Sequence, residues 1–213
     1  MTAPVRNRQA ERSERSTTAL LQAASELIVE GGFAALTLAA IGERAGYSRG
    51  LVTSRFGSKD ALIDALIRRI VGRWNHRNVL PRTEGKSGLD GVMVLLDAIR
   101  AQGDRDPSGL EVLYSLVFEA VGPDDALRSR FATFHATMRA DITALLARGI
   151  DDGSVRADVD AEREAALLVA ALRGIGYQWR LDPDRFDFAT NLSHLITTSC
   201  ARLAGRRARR VPR

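Results

Sequence analysis

Arg49, Thr53, Ser54 and Arg55 crowd into the eight residues from Arg49 to Phe56, where Val52 and Phe56 alone share an inward-facing spacing. A short helix offering guanidinium and hydroxyl groups on its outer face suits a DNA major groove. There arginine forks onto guanine, and hydroxyls reach bases or phosphates. The stretch that must position them is Thr37 to Lys59, T-L-A-A-I-G-E-R-A-G-Y-S-R-G-L-V-T-S-R-F-G-S-K. Thr37 has the hydroxyl that caps a first helix, along which Leu38, Ile41 and Ala45 recur at helical spacing. Gly46 reaches the left-handed conformation that ends a helix without steric strain, and Ser48 caps a second helix. The expectation is two short helices joined by a tight turn.

This stretch resembles the helix-turn-helix of the TetR family of transcriptional regulators, whose pattern runs T-x-x-x-I-A-x-x-A-G-V-S-x-G-x-L-Y-x-H-F-x-S-K-x-x-L. Thr37, Ile41, Ala45, Gly46, Ser48, Gly50, Phe56, Ser58, Lys59 and Leu62 match in order and spacing, ten positions in 26 residues. Gly42 replaces the usual alanine, Tyr47 a valine, Thr53 a tyrosine that commonly touches phosphate, and Arg55 a common histidine. The motif and the resemblance together give a DNA-contacting set of Thr37, Tyr47, Ser48, Arg49, Gly50, Leu51, Thr53, Ser54, Arg55 and Lys59.

Composition limits the alternatives. The chain has 213 residues, enough for one or two domains with a sizeable core. A net charge of +5 favours a polyanionic partner, and the single Cys200 leaves no internal disulfide framework and fits a reducing cytoplasm. No apolar run approaches the ~20 residues needed to span a bilayer, and the polar N-terminus lacks a secretory signal. A cytoplasmic protein without membrane or cofactor is expected.

The remaining pattern is helical. Residues 1–13 read as a flexible basic tail, in which Arg6, Arg8 and Arg12 either follow DNA or are simply solvated. A first helix is expected over 16–30, with Leu20, Ala23, Ala24, Leu27 and Ile28 as its apolar stripe, stopped by Gly31-Gly32. Residues 14–60 then form a three-helix head. Ser58 caps a fourth, linking helix over 59–79, whose start is also a credible phosphate clamp. Residues 81–88 read as a loop. Further helices are expected at 88–102, 108–121, 124–150, 160–181 and 187–205, punctuated by Pro107, Pro123 and Pro183. Residues 206–213 form a second basic tail; with Arg202 the end of the chain carries six arginines. The fold class is all-α, about nine helices, with a helix-turn-helix head and a helical domain over 80–205.

The resemblance gives that second domain its two expected tasks, effector binding and dimerisation. Ala165 to Trp179 is apolar nearly all round, and Phe188, Leu192, Leu195, Ile196, Ser199 and Leu203 form a stripe on the last helix. These two helices pack into a four-helix homodimer interface in the family, here assigned to Leu168, Leu172, Ile175, Trp179, Leu192, Leu195, Ile196 and Ser199. Leu95, Leu113, Leu116, Val117, Phe131, Phe134, His135, Met138 and Tyr177 are the candidates for lining a small-molecule pocket, with intrachain core as the alternative.

Enzyme chemistry has little support. His76, His135 and His194 are far apart, and the chain has no H-E-x-x-H, cysteine cluster, G-x-S-x-G or phosphate loop. No catalytic or metal site is expected. The reading is a dimeric repressor released from double-stranded operator DNA by an apolar or amphipathic ligand. A regulator answering to a protein partner or to no ligand, and a nonspecific architectural DNA binder, stay open.

Overall fold

The computed structural model describes residues 5–72 and 79–205. Its helices are α1 (Val5–Gly31), α2 (Leu38–Ala45), α3 (Arg49–Phe56), α4 (Lys59–Ile67), α5 (Leu80–Thr83), α6 (Gly88–Arg105), α7 (Pro107–Glu119), α8 (Asp125–Asp151), α9 (Ala161–Leu181) and α10 (Phe188–Leu203). α5 is a single turn, so nine helices are substantial. An isolated bridge between Val155 and Ala204 is the sole strand-like pairing among the described residues.

Short polar side chains set the helix starts. The side chains of Ser87, Asp106, Asp124, Asp160 and Asp187 each accept a backbone N–H in the first turn of α6 to α10, respectively. Pro107 stands at the start of α7, where its missing N–H has no helical partner to lose.

Two expectations need correction at the start of the chain and after α4. Residues 5–13 are not a flexible tail: α1 begins at Val5, and the hydroxyls of Ser16 and Thr17 donate to the Ser13 carbonyl. The fourth helix is regular only to Ile67, and Arg68–Gly72 is wound as a π-helix. Residues 73–78 of the expected linking helix, with His76, lie outside the described residues, as do residues 1–4, the side chains of Arg6 and Arg8, and the C-terminal tail 206–213. α6 also runs past the expected end at 102 to Arg105. Gly103 is accommodated because its face lies against Phe188 and Leu110.

The core has two centres. Leu20, Ala24, Ile28, Leu36, Ile41, Val52, Leu62 and Leu66 are fully or almost fully buried in the first, and α7 and α8 contribute Val112, Leu116, Leu127 and Phe131 to it. Helices α1–α4 therefore close their core against the second half of the chain. The second centre gathers α6 to α10 around Tyr114, whose hydroxyl donates to the Leu172 carbonyl at 3.0 Å. Its ring meets Phe118, Trp179 and Phe188 at centroid distances of 6.0, 6.3 and 6.2 Å. α7 supplies both centres from opposite faces and is the structural link between them.

Candidate functional site

Helices α2 and α3 are joined as their sequence dictates. Thr37 Oγ1 accepts the Ala40 N–H at 3.1 Å, and Ser48 Oγ accepts the Leu51 N–H at 3.2 Å. Gly46 between them is left-handed at φ 74°. The turn is tight enough to explain Gly42: a methyl there would sit 2.9 Å from the Tyr47 carbonyl oxygen. Val52 is fully buried beneath α3, while Arg49, Gly50, Thr53 and Ser54 are exposed on its outer side. Exposed Tyr47 and half-buried Leu51 line an open groove with exposed Arg12 and Arg15 from α1. The first turn of α3 and one flank of α1 thus present a single polar, cationic surface.

Arg55 and Lys59 belong to the frame of this surface. The Arg55 guanidinium donates to Ser13 and Ser16, which ties α3 to α1. Lys59 Nζ lies 4.0 Å from the Phe33 ring centroid and donates to the Phe33 carbonyl. Arg44 binds Glu30, 2.7 Å from Nη2 to the carboxylate, and holds α2 on α1. Arg130 reaches from α8 to Asp64 at 2.5 Å.

A second feature lies where the two cores meet. A cavity of about 40 Å³ is lined by Ile70 and Val71 of the π-helical segment and by Leu113 and Tyr114 of α7. Phe134 and Met138 of α8 and Arg173 of α9 complete its inner wall, with Ile99, Gln102 and Leu110 behind. Its lining residues are apolar apart from Gln102, Tyr114 and Arg173.

The sequence family described as "Bacterial regulatory proteins, tetR family" matches residues 20–66. A second, described as "BetI-type transcriptional repressor, C-terminal", matches residues 90–205. The chain belongs to the TetR family. Over 194 residues it is 26% identical to the HTH-type transcriptional regulator TtgR of Pseudomonas putida, covering 90% of this chain and 92% of that one. The structure of SmeT bound to triclosan superposes with a TM-score of 0.81 at 20% identity, covering 93% of this chain and 95% of SmeT. Another SmeT structure, the repressor of the Stenotrophomonas maltophilia multidrug efflux pump SmeDEF, gives 0.75 at 19% identity, covering 89% and 91%. The protein is a DNA-binding transcriptional regulator with the TetR fold.

Within this TetR fold the expected pocket residues separate. Leu113, Phe134 and Met138 line the cavity. Leu95 is packed in the second core, while Leu116, Val117 and Phe131 are packed in the first, so none of these four lines it. Tyr177 is 46% exposed, its ring edge against Phe118 at 5.5 Å. His135 lies beside the cavity, its ring 5.6 Å from Phe134 and 6.3 Å from Phe131. Sequence reading missed Ile70, Val71, Ile99, Gln102, Leu110, Tyr114 and Arg173. Arg173 carried a signal, being the lone charged residue between Ala165 and Trp179.

The expected dimer residues need a larger correction. Leu168, Leu172, Leu192 and Ser199 are buried inside the single chain, at 1, 1, 0 and 2% exposure. Ile175, Trp179, Leu195 and Ile196 are half-buried against the same core. The four buried side chains are already covered by their own fold and cannot be the surface of a seam. The outward stripe of α9 is instead Leu167, Ala170, Gly174, Gln178 and Leu181, with Leu167 and Leu181 at 56 and 62% exposure.

His135 gives a pH prediction. Its Nε2 is buried without a hydrogen-bond partner. Burial first, then the charges of Arg173 and Arg139, bring its pKa from 6.5 down to about 4. The folded chain therefore keeps the ring neutral while the unfolded chain protonates it below the ordinary histidine value. The unfolded state binds more protons between these two values, so stability falls as pH drops from about 6.5 to 4. His135→Gln is expected to flatten that part of the melting-temperature profile relative to the parent protein, as read by thermal melts across the range.

Proposed function

We propose that this TetR-family regulator is a homodimeric repressor that leaves its operator when a small molecule enters the cavity between the cores. The observation that carries the DNA half is Gly50. A methyl there would meet nothing of the protein but Ser48 Oγ, at an ordinary 3.7 Å. The fold has no need of glycine at this exposed position in the first turn of α3, but a closely approaching DNA backbone does. Arg49, beside it, is placed to read a base or hold a phosphate, and the exposed Arg12 and Arg15 to follow the backbone. Thr37, Tyr47, Ser48, Leu51, Thr53 and Ser54 complete this contact surface. Arg55 and Lys59 act from behind it, by holding α3 and α4 in place.

Gly50→Ala is expected to leave the melting temperature unchanged or raise it, since alanine is favoured in a helix by roughly 0.5–1 kcal/mol. Operator affinity should nonetheless fall. Arg49→Ala should weaken operator binding by roughly 1–3 kcal/mol if the contact is to a base. Titrations against operator duplex, with helical circular dichroism as control, check both. Unchanged affinity in both variants would remove α3 as the reading helix.

Dimerisation is supported by the outer faces of α9 and α10. Ser193 and Thr197 donate their hydroxyls back to the carbonyls of Ala189 and Ser193, and Thr198 donates to that of His194. Those hydroxyls can enter a seam with their donors already satisfied. The effector half is supported by position, since Leu113 belongs to the first core and also lines the cavity, while Ile70 and Val71 lie directly beyond α4. Leu113→Phe narrows that cavity. In a thermal-shift screen of apolar and amphipathic compounds, the variant should lose the shifts seen with the parent while still binding operator.

A further inference from the structure

Among the described residues, Arg173 is the one cation of the cavity wall. Its guanidinium carbon lies 5.4 Å from the Tyr114 ring centroid and 5.7 Å from that of Phe134, and Nη2 is 3.6 Å from Met138 Sδ. Nε is fully buried with no hydrogen-bond partner. Among the described residues no carboxylate forms an ion pair with Arg173, whereas Arg44, Arg130 and Arg202 each have one. A guanidinium has five donors in a fixed fork, and aromatic faces, a thioether and the Tyr114 hydroxyl answer few of them. Burial pushes its pKa down, opposed by the Tyr114 hydroxyl. Arg173 as a whole is half-buried, but a cation with its Nε fully buried and no anion beside it is destabilising, so its presence in an otherwise apolar wall asks for a ligand that carries the missing charge.

We propose that the effector is a small organic acid whose carboxylate docks on Arg173 and whose apolar body lies against Ile70, Val71, Leu113 and Phe134. This rests on the reading of the cavity as the effector site and names the chemical class that enters it. The carboxylate accepts from the fork of the guanidinium, an interaction in which charge and direction agree. At about 40 Å³ the cavity has room for little more than a water molecule or two. The apolar body therefore has to displace Ile70 and Val71. Both belong to the π-helical Arg68–Gly72, a winding that often marks functional positions. An acid seated on Arg173 thus pushes on the segment that follows α4, and Arg69 within it donates to the Thr18 carbonyl of α1.

The test uses octanoate, benzoate and 1-naphthoate, each paired with its neutral amide, titrated calorimetrically into the full chain. At least one acid is expected to bind about tenfold or more tightly than its amide, as a charge-assisted hydrogen bond allows. In Arg173→Met that margin should vanish. Without ligand, Arg173→Met should melt at or above the parent temperature, since it removes an unanswered charge and keeps the apolar stem. Amides binding as tightly as acids would overturn the acid class while leaving a neutral effector in the same cavity. Binding by none of the six compounds would overturn the acid class too, and the thermal-shift screen with Leu113→Phe then decides the cavity separately. A clear fall in the melting temperature of Arg173→Met would mean that the fold itself satisfies the guanidinium, and would also overturn the proposal.

Discussion

Leu167→Glu is expected to turn the proposed dimer into a monomer at micromolar concentration in sedimentation. Leu167 is 56% exposed on the outer stripe of α9, so a glutamate there is solvated in the isolated chain. In a helix-on-helix seam the same carboxylate is buried without a partner, which costs several kcal/mol. Two heads that no longer act together lose the gain from linked binding, so operator affinity should drop by roughly 10²–10⁴-fold. Leu168→Glu is the instructive neighbour. Leu168 is 1% exposed inside the chain, so its variant should fail to fold, with loss of the cooperative melt. A parent protein that sediments as monomer would contradict the dimer directly.

Gly176→Ala is expected to destabilise the fold strongly for a single-methyl change. A methyl at Gly176 would lie 1.8 Å from Tyr114 Cζ and 2.3 Å from its hydroxyl oxygen. The Tyr114 ring cannot easily withdraw, because Phe118, Trp179 and Phe188 surround it and its hydroxyl is held by Leu172. Overpacking of this kind costs typically 1–3 kcal/mol, sometimes more. In a chain of this size each kcal/mol lowers the melting temperature by about 2–4 °C. Gly174→Ala, two residues away, meets nothing within 4 Å and should leave the fold intact. Equal melting temperatures for the two variants would contradict the packing around Tyr114.

The helix-turn-helix was legible because its signals are local. Thr37, Ser48 and Ser58 each cap the helix that follows, and Gly46 adopts the left-handed turn that its position demands. The caps and prolines of the second half likewise fixed its helices to within a few residues. Which face of a helix points outward was harder to read. α9 is apolar nearly all round, so periodicity could not separate Leu168, which faces the core, from Leu167, which does not. The large side chains attracted the assignment, while the outward face of α9 is partly small, with Ala170 and Gly174. The same reasoning covers the cavity. Leu95, Val117 and Phe131 have the right chemistry to line it, but where helices cross decides which apolar residues meet a void, and crossing is a long-range property. Arg55 illustrates a further limit. Its position on α3 suggested a groove contact, yet Ser13 and Ser16 of a helix that starts earlier than its stop-and-start signals indicated draw it inward.

Arg130 held to Asp64, and α7 packed into both cores, join the head to the second domain. If an acid in the cavity weakens DNA binding by some factor, DNA must weaken binding of the acid by the same factor.

Sequence-specific reading of DNA by α3, paired by the proposed dimerisation, is the expected behaviour. Its most direct measurement is repeated selection of the purified protein against randomised duplexes at ~0.15 M salt, a range in which nonspecific phosphate binding is weakened. A two-fold symmetric consensus of two half-sites is expected, bound about 10³-fold or more tightly than scrambled DNA. A library that stays unenriched after repeated rounds, with all duplexes bound alike and a steep salt dependence, would contradict it and leave a nonspecific DNA binder.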